Sequence, residues 1–414
     1  MCSIGDDDVL DDGISSLMTP QKQMLHYLPK GTCYKCGQDR ELYKIHFREA
    51  ECKNCFLIFV NHKFRATVGS SKALPRNADI LLVFDGSAES VVLLDMLQTA
   101  QSESNFKRLH CYLKVLFLDD YEAYKDTCGI NDYKLYIQQV KDLLLSYDNI
   151  KCYVTNLRSG IHQKPFDIKD MNLYLNREME KEKVFSNDIN NIQTSTSRNE
   201  FIKLYRKNLI ASMATILSCK YAFIPTINIS IATDLLSAIA LGQGNNVACD
   251  VAFKDDRLVN GIKIMRPIKN LTETEVLLYI RARNIKWCDR RDHVINASSS
   301  IQRITELFIR NLQKNYSSTV STIICTGNKI TSNNDSYEEF EEKCCLCNSS
   351  IVNSETLSAV RYSRYVSERM SSDFDLDINF KKFLNLTQNQ DQKVCHSCQN
   401  IGRDSDINLI KHYL

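Results

Sequence analysis

A chain of 414 residues, 43% of them hydrophobic and 25% charged, has room for one large α/β domain plus smaller modules. Its formal net charge of +2 gives no global electrostatic case for nucleic acid, so any such contact needs a local basic patch. No apolar run is long enough to span a membrane and no basic, apolar leader opens the chain. Seventeen cysteines then point to a reducing compartment, where paired cysteines hold metal rather than form disulfides.

Residues 1–30, with Asp6, Asp7, Asp8, Asp11 and Asp12, read as an acidic, disordered tail. Residues 31–68 read as a zinc-ribbon-like module, because Cys33-x-x-Cys36 and Cys52-x-x-Cys55 are separated by fifteen residues. Two such turns complete a tetrahedral thiolate shell around zinc. With no coordination position left open, the site is expected to be structural. After a short connector, residues 78–330 alternate apolar runs with helical patterns. Strands are expected at 80–84, 109–118, 150–154, 221–225, 247–253 and 261–265. Helices are expected at 90–100, 133–145, 201–218, 231–241, 271–281 and 301–312, with Thr272 as a cap and Gly242 and Gly244 as a stop. This rhythm predicts an α/β fold whose parallel sheet is covered by helices on both faces. The polar stretch 164–198 interrupts it as a variable insertion. Residues 340–414 form a second cysteine-rich module. Cys344-x-x-Cys347 pairs naturally with Cys395-x-x-Cys398 for a second zinc, with Cys345 spare and a helical stretch at 354–371 between the pairs.

The most informative stretch is ADILLVFDGSAESVVLLDMLQ, from Ala78 to Gln98. An apolar strand ends in the loop Asp85-Gly86-Ser87-Ala88-Glu89-Ser90 and a helix begins at once. Such a turn can cradle phosphate with the unpaired N–H groups of a helix N-terminus, and in an open parallel sheet it lies where ligands collect. An ordinary tight turn of small residues is the equal alternative. Two basic groups are candidates for phosphate contact, or else solvated helix faces. One is Lys203, Arg206 and Lys207; the other is Arg281, Arg283, Lys286, Arg290 and Arg291. The lone thiols Cys288 and Cys325 fit packing better than chemistry.

In their order these pieces resemble the cytoplasmic tRNA 2-thiolation proteins, in which a four-cysteine module precedes a PP-loop domain and a cysteine-rich tail. DGSAES occupies the place of the family's Ser-Gly-Gly-x-Asp-Ser loop. ATDLLSAIALGQG, from Ala232, resembles the helix and glycine turn of subunit 2. MRPIKNLTETEVLLYI, from Met265, resembles a pattern of the sulfur-transferring members. The resemblance implies a PP-loop sheet of the adenine nucleotide alpha hydrolase-like kind, with a degenerate nucleotide site at Gly86, Ser87, Ser90 and Asp234. It also implies tRNA contact through Lys203, Arg206, Lys207, Arg290 and Arg291.

The departures from the family pattern matter as much. Asp85 stands for the first Ser, Ser87 for the second Gly and Glu89 for the Asp, and a carboxylate at Asp85 repels pyrophosphate. Catalytic members carry Cys-x-x-Cys where this chain has Thr196-Ser197-Arg198-Asn199, which leaves Cys288 as the remaining candidate thiol for a relay. The implied protein is the non-catalytic subunit of a cytoplasmic heterodimer. Its partners would be the catalytic PP-loop subunit 1, tRNA and a thiocarboxylated ubiquitin-like sulfur carrier. ATP would serve the complex in thiolating the wobble uridine of Lys, Glu and Gln tRNAs. The alternatives are an ATP-dependent tRNA sulfurtransferase in its own right, a zinc-stabilised RNA-binding scaffold, and a generic PP-loop amidotransferase or synthetase.

Overall fold

The computed structural model describes residues 27–45, 48–70, 73–102, 108–121, 130–147, 150–157, 164–170, 174, 189–244, 247–288, 300–330, 343–349 and 394–404. The expected acidic tail, the helix at 354–371 and the side chains of Arg290 and Arg291 lie outside these residues.

The chain opens with a small antiparallel sheet of β1 (Tyr27–Thr32), β2 (Asp39–Tyr43) and β3 (Glu51–Cys52), followed by the helix α1 (Lys53–Ser70). Sequence reading missed α1, although its signal is present. Phe56, Val60, Phe64 and Val68 recur every four residues, and all four are buried in the main core. The cysteine module is therefore anchored by a helix rather than loosely tethered.

The main sheet has seven strands in the order β7-β6-β5-β4-β8-β10-β9. Its parallel centre consists of β4 (Ala78–Phe84), β5 (Cys111–Asp119), β6 (Lys151–Asn156), β8 (Tyr221–Phe223) and β10 (Lys263–Met265). The short strands β7 (Phe166–Asp167) and β9 (Lys254–Asp255) pair antiparallel at the two edges. Alternate residues of β4 feed opposite cores: Ile80, Leu82 and Phe84 join one, Leu81 and Val83 the other. This two-sided burial is why the strand reads as a continuous apolar run.

On the first face lie α2 (Ala88–Ser102), α3 (Ile130–Leu145), α5 (Asn228–Ala240), α7 (Glu273–Arg283) and residues of α8 (Ile301–Asn315) and α9 (Thr319–Ile330). The second face is covered by α4 (Ser195–Ile216), on which the C-terminal module rests through Cys344, Leu346, Val394, Cys398 and Ile401. Gly242 (φ +74°) ends α5, as expected.

Two expectations are corrected. Residues 247–253 form the short helix α6 (Val247–Val251), not a strand. Its apolar, β-branched composition favours a strand, but Arg266 and Lys269 donate to the carbonyls of Ala252 (2.8 Å) and Val251 (2.7 Å) and hold the helical end. Helix α4 starts at Ser195, not near residue 201, because Thr194 caps it by accepting from the Ser197 N–H.

Candidate functional site

From β4 the chain moves outward to β5 and β6, then returns to place β8 and β10 on the other side. The crevice beyond the carboxyl ends of β4 and β8 is thus the switch point of the sheet, and the loop at 85–87 lies at its edge.

That loop is closed on itself. The Asp85 carboxylate accepts from the Ser87 N–H (3.1 Å) and the Ser87 hydroxyl (2.6 Å), and the Ser87 Oγ accepts from the Ser90 N–H (3.3 Å). Ser90, fully buried, donates its hydroxyl to the Ser87 carbonyl (2.9 Å). Two backbone donors that would meet a phosphate are therefore capped by the chain's own oxygens, one of them anionic. From behind, the Tyr136 hydroxyl donates to the Asp85 carbonyl and the Cys288 N–H to the Gly86 carbonyl (2.9 Å). Gly86 has φ +76°, and a Cβ there would meet Val140, Tyr136 and Cys288 at 3.0 to 3.3 Å. Only glycine fits.

Beside the loop opens a cleft of about 380 Å³, walled by α4, α5 and α8. Lys203, Arg206 and Lys207 all reach it, but none stands as a free cation. Lys203 Nζ donates to Asp234 (2.8 Å), Arg206 lies 3.4 Å from Asp120, and Lys207 donates to Asp250 (3.0 Å). Against burial, which favours the neutral amine, Asp234, Glu200 and Asp250 hold the Lys203 ammonium above its ordinary value. Asp250, likewise against its burial, is held far below the usual carboxylate range by Lys207, Arg257 and Lys203. Asp234, expected as part of a nucleotide site, is thus a partner of Lys203. Sequence reading named the cations and missed the acids that pair them. No local signal announces that pairing, because each acid comes from outside α4.

At residues 196–199 the chain carries packing contacts. Thr196 Oγ1 accepts from the Ile301 N–H (3.2 Å), and Asn199 donates to the Ser300 hydroxyl (3.1 Å). Thr194 and Ser197 each donate at 2.6 Å to Asp404 on the C-terminal helix α10 (His396–Asp404). Nothing local in the sequence announces this long-range latch. Cys288 is buried, and burial pushes its thiol up to about 11. Cys325, expected to serve packing, instead lies exposed on α9.

Both cysteine quartets assemble. In Cys33, Cys36, Cys52 and Cys55, and again in Cys344, Cys347, Cys395 and Cys398, one sulfur from each residue lies within 4.8 Å of all the others. Each quartet could hold a metal ion. The two are built alike: the first pair sits in a tight turn closed by a left-handed residue, Gly37 (φ +68°) or Asn348 (φ +56°). The second pair sits at a helix start, on α1 or α10, where the dipole favours thiolate. The Cys52 N–H donates to the Cys33 sulfur (3.1 Å) and the Cys395 N–H to the Cys344 sulfur (3.3 Å). Against burial, backbone N–H groups of Cys52, Cys36 and Lys35 bring the Cys33 thiol down to about 6. The sulfurs of Cys36 and Cys52 lie 3.7 Å apart, and those of Cys347 and Cys395 3.6 Å. A tetrahedral ion with 2.3 Å metal–sulfur bonds needs about 3.8 Å.

Comparison with known proteins agrees with this layout. The family profile described as "Cytoplasmic tRNA 2-thiolation protein 2" matches residues 300–400. A protein of that name from Drosophila mojavensis is 40% identical over 411 residues, 97% of this chain and 98% of the relative. Its namesake from Drosophila melanogaster is 40% identical over 419 residues, 98% and 99% of the two chains. Among solved structures, the U34-tRNA thiolase NcsA from Methanococcus maripaludis, with its [4Fe-4S] cluster, superimposes with a TM-score of 0.53 at 17% identity. That match covers 80% of this chain and 96% of the thiolase, which establishes the PP-loop fold. With both cysteine quartets, the sheet and 40% identity over nearly the full length in agreement, the chain belongs to the cytoplasmic tRNA 2-thiolation protein 2 family.

Proposed function

We propose that this chain is the non-catalytic subunit of a cytoplasmic tRNA 2-thiolation complex, needed to thiolate the wobble uridine of Lys, Glu and Gln tRNAs. The observation that carries the reading is the self-capped loop at Asp85, Ser87 and Ser90 on an otherwise intact PP-loop sheet. A scaffold retained without its phosphate donors suits a subunit that completes a partner's substrate surface. The absence of a thiol pair at 196–199, and the buried, protonated Cys288, support the same conclusion.

On this reading the partner is the catalytic PP-loop subunit. It binds ATP to activate the uridine and receives sulfur from a thiocarboxylated ubiquitin-like carrier. Each cysteine quartet holds one zinc in a structural role. The sulfur spacing suits a single tetrahedral ion, whereas an iron–sulfur cluster spreads its four thiolates over separate irons. Zinc would cross-link turn to helix in each module, and no step of the chemistry runs through it. The test is calorimetry of the purified chain with ATP, then of its complex with the catalytic subunit. The reading expects binding by the complex alone. Micromolar ATP affinity and uridine adenylation by this chain by itself would overturn it.

A further inference from the structure

Of the cations expected to touch tRNA, the three on α4 are already engaged, since Lys203, Arg206 and Lys207 face Asp234, Asp120 and Asp250. Exchanging the buried Asp120 or Asp250, or the half-exposed Asp234, for a phosphate gains little and leaves an acid unpaired. Cations that can meet phosphate at no such cost lie elsewhere. Exposed cations with no ion pair occur at several places among the described residues, Lys134, Lys151, Lys220 and Lys286 among them, but the N-terminal cysteine module gathers four, Lys30, Lys35, Arg40 and Lys53, around one exposed aromatic ring.

At the tip of that module, Tyr34 and Lys35 sit between Cys33 and Cys36 in the loop joining β1 to β2. Tyr34 is a large aromatic ring that is 77% exposed. Its backbone is nevertheless fixed: the Tyr34 N–H donates to the Ala50 carbonyl (3.2 Å), and Cys33 and Gly37 close the turn. Lys53 opens α1, where the helix dipole disfavours a cation, and no acid occupies that first turn. The bond from the Cys52 N–H to the Cys33 sulfur brings Lys53 to the same end as Tyr34.

A rigidly mounted, outward-facing aromatic ring flanked by unpaired cations is the arrangement that takes up single-stranded nucleic acid. The ring stacks on an unpaired base while the ammonium groups neutralise neighbouring phosphates. We infer that the knuckle tip, formed by Tyr34 with Lys35 and Lys53, is a contact site for an unpaired RNA loop. The inference rests on the tRNA role proposed above and names the surface that would carry it.

The test uses the full chain with its catalytic partner and a fluorescent tRNA-Lys transcript, titrated at several salt concentrations, with zinc content measured for every variant. Tyr34→Phe keeps the ring and is expected to leave affinity unchanged. Tyr34→Ala is expected to weaken binding about tenfold. Lys35→Ala and Lys53→Ala are each expected to lower the slope of log affinity against log salt by about 0.7. The inference is overturned if tRNA binds and Tyr34→Ala matches the parent, in which case the wider tRNA reading stands. It is equally overturned if binding falls only in proportion to lost zinc, because Lys35 and Lys53 would then serve the negatively charged metal site. No tRNA binding by the unmutated complex would overturn the tRNA reading itself.

Discussion

At the scale of single residues, Asp85 decides what the loop can do. Its carboxylate occupies the donor nearest the helix start, so added nucleotide must displace an internal anion–dipole contact before it binds. ATP affinity of the isolated chain is therefore expected to be weaker than micromolar, as read by calorimetry. Gly86→Ala should destabilise the fold by about 1–3 kcal/mol in urea denaturation, since a β-carbon meets three side chains at positive φ. The buried thiols give a pH prediction. Burial pushes Cys111, Cys219 and Cys288 up to about 11 and Cys152 up to about 12. An unfolded thiol titrates near about 8.5, so the folded state holds these protons more tightly. Their contribution is complete below that pH and is lost as pH rises toward 11. Stability should fall across that window, and alkylation at neutral pH should spare Cys288 in the native chain while marking exposed Cys345. The loop's erosion was legible in the sequence, because Asp85, Ser87 and Glu89 are local substitutions in a local motif. The pairing of the α4 cations was not, because Asp120, Asp234 and Asp250 reach α4 from distant parts of the chain.

At the scale of elements, helix α7 joins local and long-range signals. Thr272 accepts from the Glu275 N–H (3.2 Å) while Glu275 accepts from the Thr272 N–H (2.8 Å), a complete capping box. The same Glu275 carboxylate holds Lys63 of α1 at 2.8 Å, which ties the cysteine module to the sheet domain. Thr272→Ala should cost about 1 kcal/mol. Glu275→Ala should cost more, because it removes the cap and strands a half-buried ammonium. Chemical denaturation of the two variants checks the order, and equal losses would show that the Lys63 pair contributes nothing. The cap was readable from Thr-x-x-Glu alone. Helix α1 was readable from its four-residue apolar spacing but was eclipsed by the cysteine pattern that overlaps its first turn. The strand expected at 247–253 failed for the opposite reason: its helical end is fixed by Arg266 and Lys269, some fifteen residues downstream.

At the scale of the whole molecule, the two cysteine modules brace the sheet domain from opposite faces. The C-terminal quartet fixes α10, Asp404 at the end of α10 holds Thr194 and Ser197, and α4 then carries one wall of the cleft. A ligand lost at Cys398 should therefore be felt at α4, more than one element away. Cells lacking this chain are expected to lose 2-thiouridine at the wobble position. A wild-type copy should restore it, and so should Cys288→Ser, whose thiol is buried, protonated and without a partner thiol at 196–199. Cys398→Ser should fail to restore it, with faster hydrogen exchange across residues 195–210, because it removes the brace rather than a reacting group. Charge reversal at Lys203, Arg206 or Lys207 is a poorer probe, since each change leaves an unpaired carboxylate and lowers stability whether or not RNA meets the cleft. Nucleoside mass spectrometry of the rescued cells decides the matter. Loss of 2-thiouridine in Cys288→Ser, with protein level and partner binding intact, would mean that this subunit carries sulfur itself.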